Sequence, residues 1–269
     1  MPPTKPRQLA HPGPARTHQT RRSFLLCTTA ALALSPLAVP LVQANQEPAP
    51  NPLRVLVWCE GTAPRTVYPD DIDGAIAQAL QPNPGLTISR ARLSDTDAGL
   101  SDAALDACDV IMWWGRLRHD DVPQARADAV VDRVRAGKLG LVALHTAFGS
   151  KPFRSLMGMP CEPRFWQEEG RPEQVEIASP DHPLARDLKP FLLPRTTMFV
   201  EPFLVPEPET VILKSSWDQG PMFRSGMAWT REHGRIVYLR TADDGFPVLF
   251  HPAVRQLLAN AAGWVGHRT

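Results

Sequence analysis

The chain has 269 residues, of which 43% are hydrophobic and 21% charged, and its formal net charge is +1. This length supplies enough apolar side chains for one sizeable core, within one or two domains. No basic stripe follows the first 44 residues, so the sequence does not indicate a nucleic-acid-binding surface.

The first 44 residues have the order of an export signal. The pair Arg21-Arg22 precedes an uncharged apolar stretch over 25–42, and the small-x-small pattern at 42–44 is typical of a cleavage site. A transmembrane anchor is the alternative, but Pro36 and Pro40 interrupt a run that is already short for a bilayer. We therefore predict a twin-arginine signal peptide over 1–44 and a periplasmic or secreted mature protein without a membrane partner.

Cleavage at this point changes the charge of the protein. It removes five basic and no acidic residues, which lowers the formal charge from +1 to −4. Because the twin-arginine route carries proteins that are already folded, it favours a bound metal or cofactor. Residues 45–52 are rich in Pro, Asn and Gln and are predicted to form a disordered tether.

Residues 53–266 are predicted to form one α/β domain. Strand patterns at 53–58, 86–93, 110–114 and 139–144 alternate with helical periodicity beginning at Tyr68-Pro69, at Ser101 and at Val122. This alternation predicts a mainly parallel open sheet flanked by helices. The proline-rich second half has strand patterns at 211–216, 226–231 and 235–240, followed by a helix from Pro252, and predicts an antiparallel extension.

The uncharged strand at 139–144 ends abruptly on His145, and Ser150 can cap the helix that follows. A strand that turns into a helix at the carboxyl edge of an open α/β sheet is where such folds present their ligands. An imidazole at this point can ligate a metal or transfer a proton. The alternative is a structural histidine that is hydrogen-bonded beneath a loop.

Other polar residues follow the neighbouring strands, and in a parallel sheet they would meet His145 at one edge. They are Glu60, Arg116, His119, Asp243 and Asp244. Four of them have a plain structural alternative: a helix cap for Glu60, a rim position for His119 and an ordinary turn for Asp243-Asp244.

Tryptophans at strand ends and in loops suggest a sugar site, because an indole face can stack on the apolar face of a pyranose. Adjacent strand residues point to opposite faces, so one of Trp113 and Trp114 is expected in the core. Trp166 and Trp217 are favoured for the pocket.

Several motifs in order resemble the ThuA-like proteins, which are named for trehalose utilisation. The resemblance rests on Trp113-Trp114-Gly115 with His119 and Asp120, on 140–145, on Phe153, Leu156-Met157-Gly158 and Cys161, on 206–208 and on 223–226. Glu60 with Tyr68-Pro69, and Pro247 with His251-Pro252, fit as well. The resemblance implies a class I glutamine amidotransferase-like fold, related to flavodoxin, and a role in disaccharide or keto-sugar catabolism.

The chain departs from that family at two places. Arg116 stands where the family has a histidine, and Thr241-Ala242-Asp243-Asp244 replaces a Pro-Gly-His-Glu motif. Arginine has donors only and cannot ligate a metal, whereas aspartate can. A divalent, zinc-like metal on His145, Cys161 and Asp243 is therefore one expectation, and a site without a metal is the other.

A thiolate mechanism is excluded by position. An amidotransferase-type hydrolase needs a cysteine on the sharp turn after the central strand, and this chain has His145-Thr146 there. Cys59, Cys108 and Cys161 remain after cleavage, and an odd number of thiols allows at most one internal disulfide.

Two hypotheses follow. In the first, the protein is an exported enzyme that acts on a small-molecule saccharide, with His145, His119 and Glu60 as catalytic groups. Its expected substrate-binding residues are Trp114, Arg116, Trp166, Glu168, Glu201, Trp217 and Arg224. In the second, it is a non-catalytic sugar-binding or accessory protein with a degenerate metal site. A homo-oligomer is compatible with both.

Overall fold

The structure, a computed structural model, describes residues 51–218, 220 and 222–266. The predicted signal peptide over 1–44 lies outside the described residues, as does most of the predicted tether. Within the described part of the chain, no helix is both long and apolar enough to cross a membrane.

The described strands form one sheet with the order β2-β1-β3-β4-β9-β8-β7-β5-β6. Neighbouring strands from β2 to β9 in this order pair in parallel, and those from β9 to β6 pair antiparallel. The mainly parallel sheet with an antiparallel extension is therefore confirmed. The strands are β1 (Leu53–Cys59), β2 (Leu86–Arg92), β3 (Val110–Trp114), β4 (Gly140–Leu144), β5 (Pro163–Ile177), β6 (Phe191–Phe203), β7 (Thr210–Trp217), β8 (Phe223–Arg231) and β9 (Gly234–Leu239).

Helices cover both faces of the parallel half, which is why its central strands β3 and β4 are apolar on both sides. Alternate residues of β1 enter different cores: Val55 and Val57 pack with α1 and α5, whereas Leu56 and Trp58 belong to the core that includes α3 and α4. The helices are α1 (Asp71–Leu80), α2 (Asp102–Asp106), α3 (Gln124–Arg135), α4 (Lys151–Met157) and α5 (Pro252–Gly266).

The sequence pattern did not reveal the long hairpin formed by β5 and β6. Both strands contain prolines, which lack the N–H that a sheet ladder requires. Pro172 lies at a register shift between β5 and β6, and Pro194 and Pro202 lie on β6 at the edge of the sheet. The prolines are thus placed where the ladder is interrupted or where one side of the strand has no sheet partner.

Candidate functional site

Four parallel strands end in register at one edge of the sheet. Cys59 pairs with Trp114, Trp114 with Leu144, and Leu144 with Leu239. The next residues along the chain, Glu60, Gly115, His145 and Arg240, therefore begin the loops of a common edge. This is the convergence that the strand pattern predicted.

The backbone of His145 is strained. Its φ is 54°, in the left-handed region, and the residue starts a short 3₁₀ turn over 145–149. Ser150 then caps α4 by accepting a hydrogen bond from the Phe153 N–H at 3.4 Å. In some α/β enzymes, a strained residue on a sharp turn between a strand and a helix holds a reactive side chain in position.

The imidazole of His145 lies beside a carboxylate. Its Nε2 atom is 3.7 Å from Asp243 Oδ2 and has no hydrogen-bond partner among the described residues. The Thr146 hydroxyl donates to the Gly115 carbonyl (2.7 Å), so it can only accept from His145 Nδ1, 3.4 Å away. This network assigns the hydrogen to Nδ1 and leaves Nε2 without one.

Asp243 is buried and tightly held. Its Oδ2 accepts from the Thr197 N–H at 2.6 Å, and its Oδ1 accepts from the Gly245 N–H at 2.9 Å. Burial raises the pKa of this carboxyl, but the charge and proximity of His145, the Thr197 N–H and the charge of Arg240 together hold the pKa well below its usual range. Asp243 is therefore an anion that can stabilise a proton on His145 Nε2.

A fully buried ion pair lies behind Asp243, and no sequence motif predicted it. Arg240 and Glu173 are both inaccessible to solvent and are directly paired. Arg240 Nη1 also donates to the Thr197 carbonyl at 3.0 Å, and the guanidinium lies 5.2 Å from the Trp217 ring centroid. The ion pair thus fixes the segment of β6 whose N–H binds Asp243.

His119 lies between two glycines. A methyl group on Gly115 would be 3.1 Å from His119 Nδ1, and one on Gly149 would be 2.8 Å from Nε2. Burial lowers the pKa of His119, although the charge of Glu60 opposes the shift. The ring is therefore neutral near neutral pH, and a side chain larger than that of glycine at position 115 or 149 would crowd it.

The predicted catalytic residue Glu60 anchors the loop that carries His119. Its carboxylate accepts from the N–H groups of Leu117 (2.6 Å) and Arg118 (2.9 Å) and from the Thr62 hydroxyl (2.8 Å). With three donors bound, Glu60 has the role of a positioning group.

The lowered pKa of His119 predicts a pH-dependent stability. The folded protein binds this proton less readily than the unfolded chain, so the free energy of unfolding should fall as the pH drops below about 6.5, the pKa of an unperturbed histidine. His119→Gln should make the slope between pH 7.5 and 5.5 shallower, by at most one proton, or about 1.4 kcal/mol per pH unit. Urea denaturation across this range checks it, and an unchanged slope would contradict it.

Arg116 forms the rim of the site. Its Nη1 donates to Asp244 Oδ2 at 2.9 Å, and its Nη2 to Glu168 Oε1 at 2.5 Å. Asp244 is buried whereas Glu168 is exposed, so the guanidinium connects the interior to the surface. Arg116 thus joins Asp244, which was also predicted to lie at the edge, to Glu168, which was expected to bind substrate.

Comparison with known proteins identifies the family of this chain. The family model described as ThuA, trehalose utilisation, matches residues 54–265. The chain belongs to the ThuA family. A search of curated proteins gave no significant match.

Solved structures of ThuA-like proteins share the fold. One from Bacteroides uniformis ATCC 8492 has a TM-score of 0.61 at 18% identity, over 82% of this chain and 94% of that one. Another from Parabacteroides merdae ATCC 43184 has a TM-score of 0.58 at 12% identity, over 80% and 90%. A glutamine amidotransferase of Thermotoga maritima gives 0.43 at 9% identity, over 70% and 74%. That last likeness is too remote to bear on chemistry.

Two tryptophans predicted to bind sugar lie in the interior of this ThuA-family protein. Trp114 is fully buried and donates to the Ala242 carbonyl at 3.0 Å. Trp217 is buried against Arg240 and donates to Thr196 Oγ1 at 2.8 Å. A buried indole has no face free for a ligand, so the predicted stacking role is corrected for both. Trp166 is 49% exposed and retains an accessible ring.

Glu201 and Arg224 are paired with each other. Glu201 Oε1 accepts from Arg224 Nε at 2.9 Å and from the Arg224 N–H at 3.1 Å. Arg224 also donates to the Phe203 carbonyl at 2.9 Å. Burial raises the pKa of Glu201, but the hydrogen bonds from Arg224 outweigh it and lower the pKa overall. The pair joins β6 to β8, and its hydrogen bonds assign it a structural role.

The residues expected to bind zinc do not form a ligand set. A structural or catalytic zinc needs at least three protein ligands at roughly 2.0–2.3 Å. In the described ranges, one group of three candidate ligand atoms lies close together, and it is Cys59, Asp71 and Asp73, without His145, Cys161 or Asp243. Asp73 is already ion-paired with Arg90 (2.7 Å) and Arg92 (2.9 Å). The arrangement at His145 therefore does not fit a tetrahedral zinc site.

The three described cysteines are free thiols that are buried. Burial raises the pKa of the Cys161 thiol and of the Cys108 thiol to about 12. Burial, and then the charges of Asp73 and Asp71, raise the pKa of Cys59 even further. Because only a thiolate is a good nucleophile, these cysteines are unreactive at neutral pH, in line with the exclusion of thiolate catalysis.

Proposed function

We propose that this ThuA-family protein is an exported enzyme that acts on a saccharide or its keto derivative by acid–base catalysis without a metal. The observation that carries the proposal is His145, held at a strained turn with Nε2 unpartnered and 3.7 Å from the ionised Asp243. The trehalose-utilisation family supports a carbohydrate as the substrate class.

Each residue of the site has a distinct task in this proposal. His145 Nε2 takes a proton from a sugar hydroxyl, or from a C–H made acidic by a neighbouring ketone, and Asp243 stabilises the imidazolium that forms. Arg116, oriented by Asp244 and Glu168, polarises an oxygen of the saccharide. Neutral His119 is available as a second proton-transfer group.

Access to His145 requires movement of the β5–β6 hairpin. The imidazole is only 2% exposed, and the Phe199 ring of β6 lies 5.3 Å from it, centroid to centroid. The sequence predicted an imidazole on an open crevice, whereas the structure encloses it. Closure over a reacting group excludes water and strengthens electrostatic interactions inside the site.

A panel of saccharides and keto-saccharides, assayed with and without a chelator, tests this function. We expect the mature protein to turn over at least one member at a rate that the chelator leaves unchanged. Loss of turnover with the chelator would contradict the metal-free mechanism and indicate a metal-assisted one. Tight binding without turnover across the panel would favour the non-catalytic accessory protein.

Export is a separate part of the proposal and has its own prediction. Replacing Arg21 and Arg22 by lysine should abolish periplasmic accumulation, because the paired arginines are the feature that the twin-arginine route reads. Fractionation of cells that express the variant measures this, with Arg16→Lys as the control that keeps the pair. Undiminished periplasmic protein in the double variant would refute the assignment.

A further inference from the structure

Arg240 and Glu173 form an ion pair whose burial is not explained by stability. Both side chains are inaccessible to solvent, and Arg240 Nε and Glu173 Oε1 have no hydrogen-bond partner among the described residues. Burying two charges costs free energy that only near-complete hydrogen bonding offsets, so a pair bonded in part contributes little relative to apolar residues of similar size. The contacts of this pair with the site give it a different role.

Arg240 belongs to a closed ring of contacts that contains Asp243. Its Nη1 donates to the Thr197 carbonyl at 3.0 Å, and the N–H of the same Thr197 donates to Asp243 Oδ2 at 2.6 Å. The chain from Asp243 back to Arg240 closes the ring, and within it the Ala242 N–H donates to the Arg240 carbonyl at 2.9 Å. The loop that carries Asp243 and the residue that binds its Oδ2 are therefore both attached to Arg240.

The backbone of Thr197 can make these contacts because the sheet ladder is irregular beside it. Thr197 lies on β6 opposite the register shift between Gln167 and Arg171 of β5. At such a shift a residue leaves the ladder, so its N–H and its carbonyl can bond elsewhere. In this protein the N–H binds Asp243 and the carbonyl binds Arg240.

The Arg240 guanidinium also lies beside the ring that encloses His145. It is 5.9 Å from the Phe199 ring centroid and 5.2 Å from that of Trp217, both within the range of cation–π contacts. The Phe199 ring is in turn 5.3 Å from the His145 imidazole, centroid to centroid. The Trp217 indole donates to Thr196 Oγ1 at 2.8 Å and so holds the same segment of β6.

The distance between His145 and Asp243 is sensitive to this framework. His145 Nε2 is 3.7 Å from Asp243 Oδ2, which is longer than a hydrogen bond, and Oδ2 is the oxygen that Thr197 binds. A displacement of about 1 Å at a catalytic group can lower turnover by about 100-fold. The position of Thr197 therefore decides how well Asp243 can stabilise a proton on His145.

We infer that Arg240 is a positioning residue: paired with Glu173, it holds Asp243 Oδ2 against His145 Nε2 through the backbone of Thr197. The catalytic consequence rests on the proposed function, whereas the contact between Arg240 and Thr197 does not depend on any substrate. The planar guanidinium binds the Glu173 carboxylate and the Thr197 carbonyl through separate nitrogens, Nη2 and Nη1. Lysine, whose ammonium is a single point of charge, cannot reproduce this fork.

Amide hydrogen exchange, resolved by NMR, tests the positioning without a substrate. Arg240→Met combined with Glu173→Leu removes the pair without leaving a buried charge. We expect the Thr197 amide of this double variant to exchange at least about tenfold faster after correction for global stability, while that of Met112 in β3 is unchanged. An unchanged Thr197 amide overturns the inference. Arg240→Lys should also free the Thr197 amide, so it decides the question if the double variant folds poorly.

Steady-state kinetics of the same variants with the best saccharide test the catalytic consequence. Since Arg240 acts through Asp243, the double variant should lower kcat at least about tenfold and leave KM within about twofold. The control is Arg133→Met with Asp106→Asn, which removes an ion pair between α3 and α2 and should change neither constant. A faster Thr197 amide with an unchanged kcat overturns the positioning role. If wild type turns over no saccharide, the proposed function fails, while a faster Thr197 amide still supports the contact through which Arg240 holds Asp243.

Discussion

Arg240→Met should destabilise the protein by about 3–5 kcal/mol, the usual cost of leaving one member of a buried ion pair without its partner. Glu173 would remain as a charge inaccessible to solvent, and the Thr197 carbonyl would lose the Arg240 N–H that binds it at 3.0 Å. Urea denaturation of the mature protein, monitored by tryptophan fluorescence, measures the change. Arg171→Met is the matched control, since it removes an exposed arginine paired with Glu169 and Asp218, and should change little.

The double variant shows whether the pair itself is the cause. Arg240→Met combined with Glu173→Leu removes both charges, and replacing a buried pair by apolar residues is often close to neutral. We expect the double variant to regain most of the stability that either single variant loses. A double variant as unstable as the sum of the single ones would contradict a direct coupling of Arg240 and Glu173.

His145→Gln should reduce turnover of the best saccharide by roughly 100-fold or more, within the range that positioned acid–base groups contribute. The melting temperature should change little, because glutamine keeps a polar side chain of similar size and Nε2 has no hydrogen bond to lose. Steady-state kinetics and thermal melting of the same preparation measure the turnover rate and the melting temperature. The account is contradicted by a large drop in melting temperature with turnover intact.

Two further variants guard this result. His145→Asn tolerates the positive φ of 54° better than most residues, so it separates strain from lost chemistry. His233 lies in the turn between β8 and β9, which is distant from the edge where His145 lies. His233→Gln therefore removes an imidazole that does not belong to the site. The asparagine variant should be as inactive as the glutamine variant, and His233→Gln should be fully active.

The parallel half of the fold could be predicted because its signals are local. β3, β4 and the part of β1 after Arg54 are uninterrupted apolar runs, and a polar residue within two positions of each run marks the carboxyl edge. Only boundaries shifted: the helix expected from Val122 begins at Gln124, since Pro123 takes the N-cap position. Glu60, Arg116 and His145 were placed at one edge for the same reason.

The rest of the site depends on contacts between residues far apart in sequence. Arg240 and Glu173 are separated by 67 positions, and no motif around either residue predicts a buried ion pair. Trp217 was expected in the sugar pocket because it follows a strand, yet it packs on the Arg240 guanidinium, which the periodicity of β7 could not indicate. The enclosure of His145 by Phe199 likewise depends on the β5–β6 hairpin, which its prolines concealed.

Two-dimensional proton–carbon NMR of the histidine side chains during a saccharide titration tests the central claim most directly, since it asks whether the ligand reaches His145 whatever the reaction. His145→Gln assigns the resonance, and His233 is the internal control. We expect the resonances of His145 and His119 to shift in proportion to saturation while that of His233 stays fixed. Saccharide binding that leaves the His145 resonance unmoved would contradict a site built on the His145–Asp243 pair.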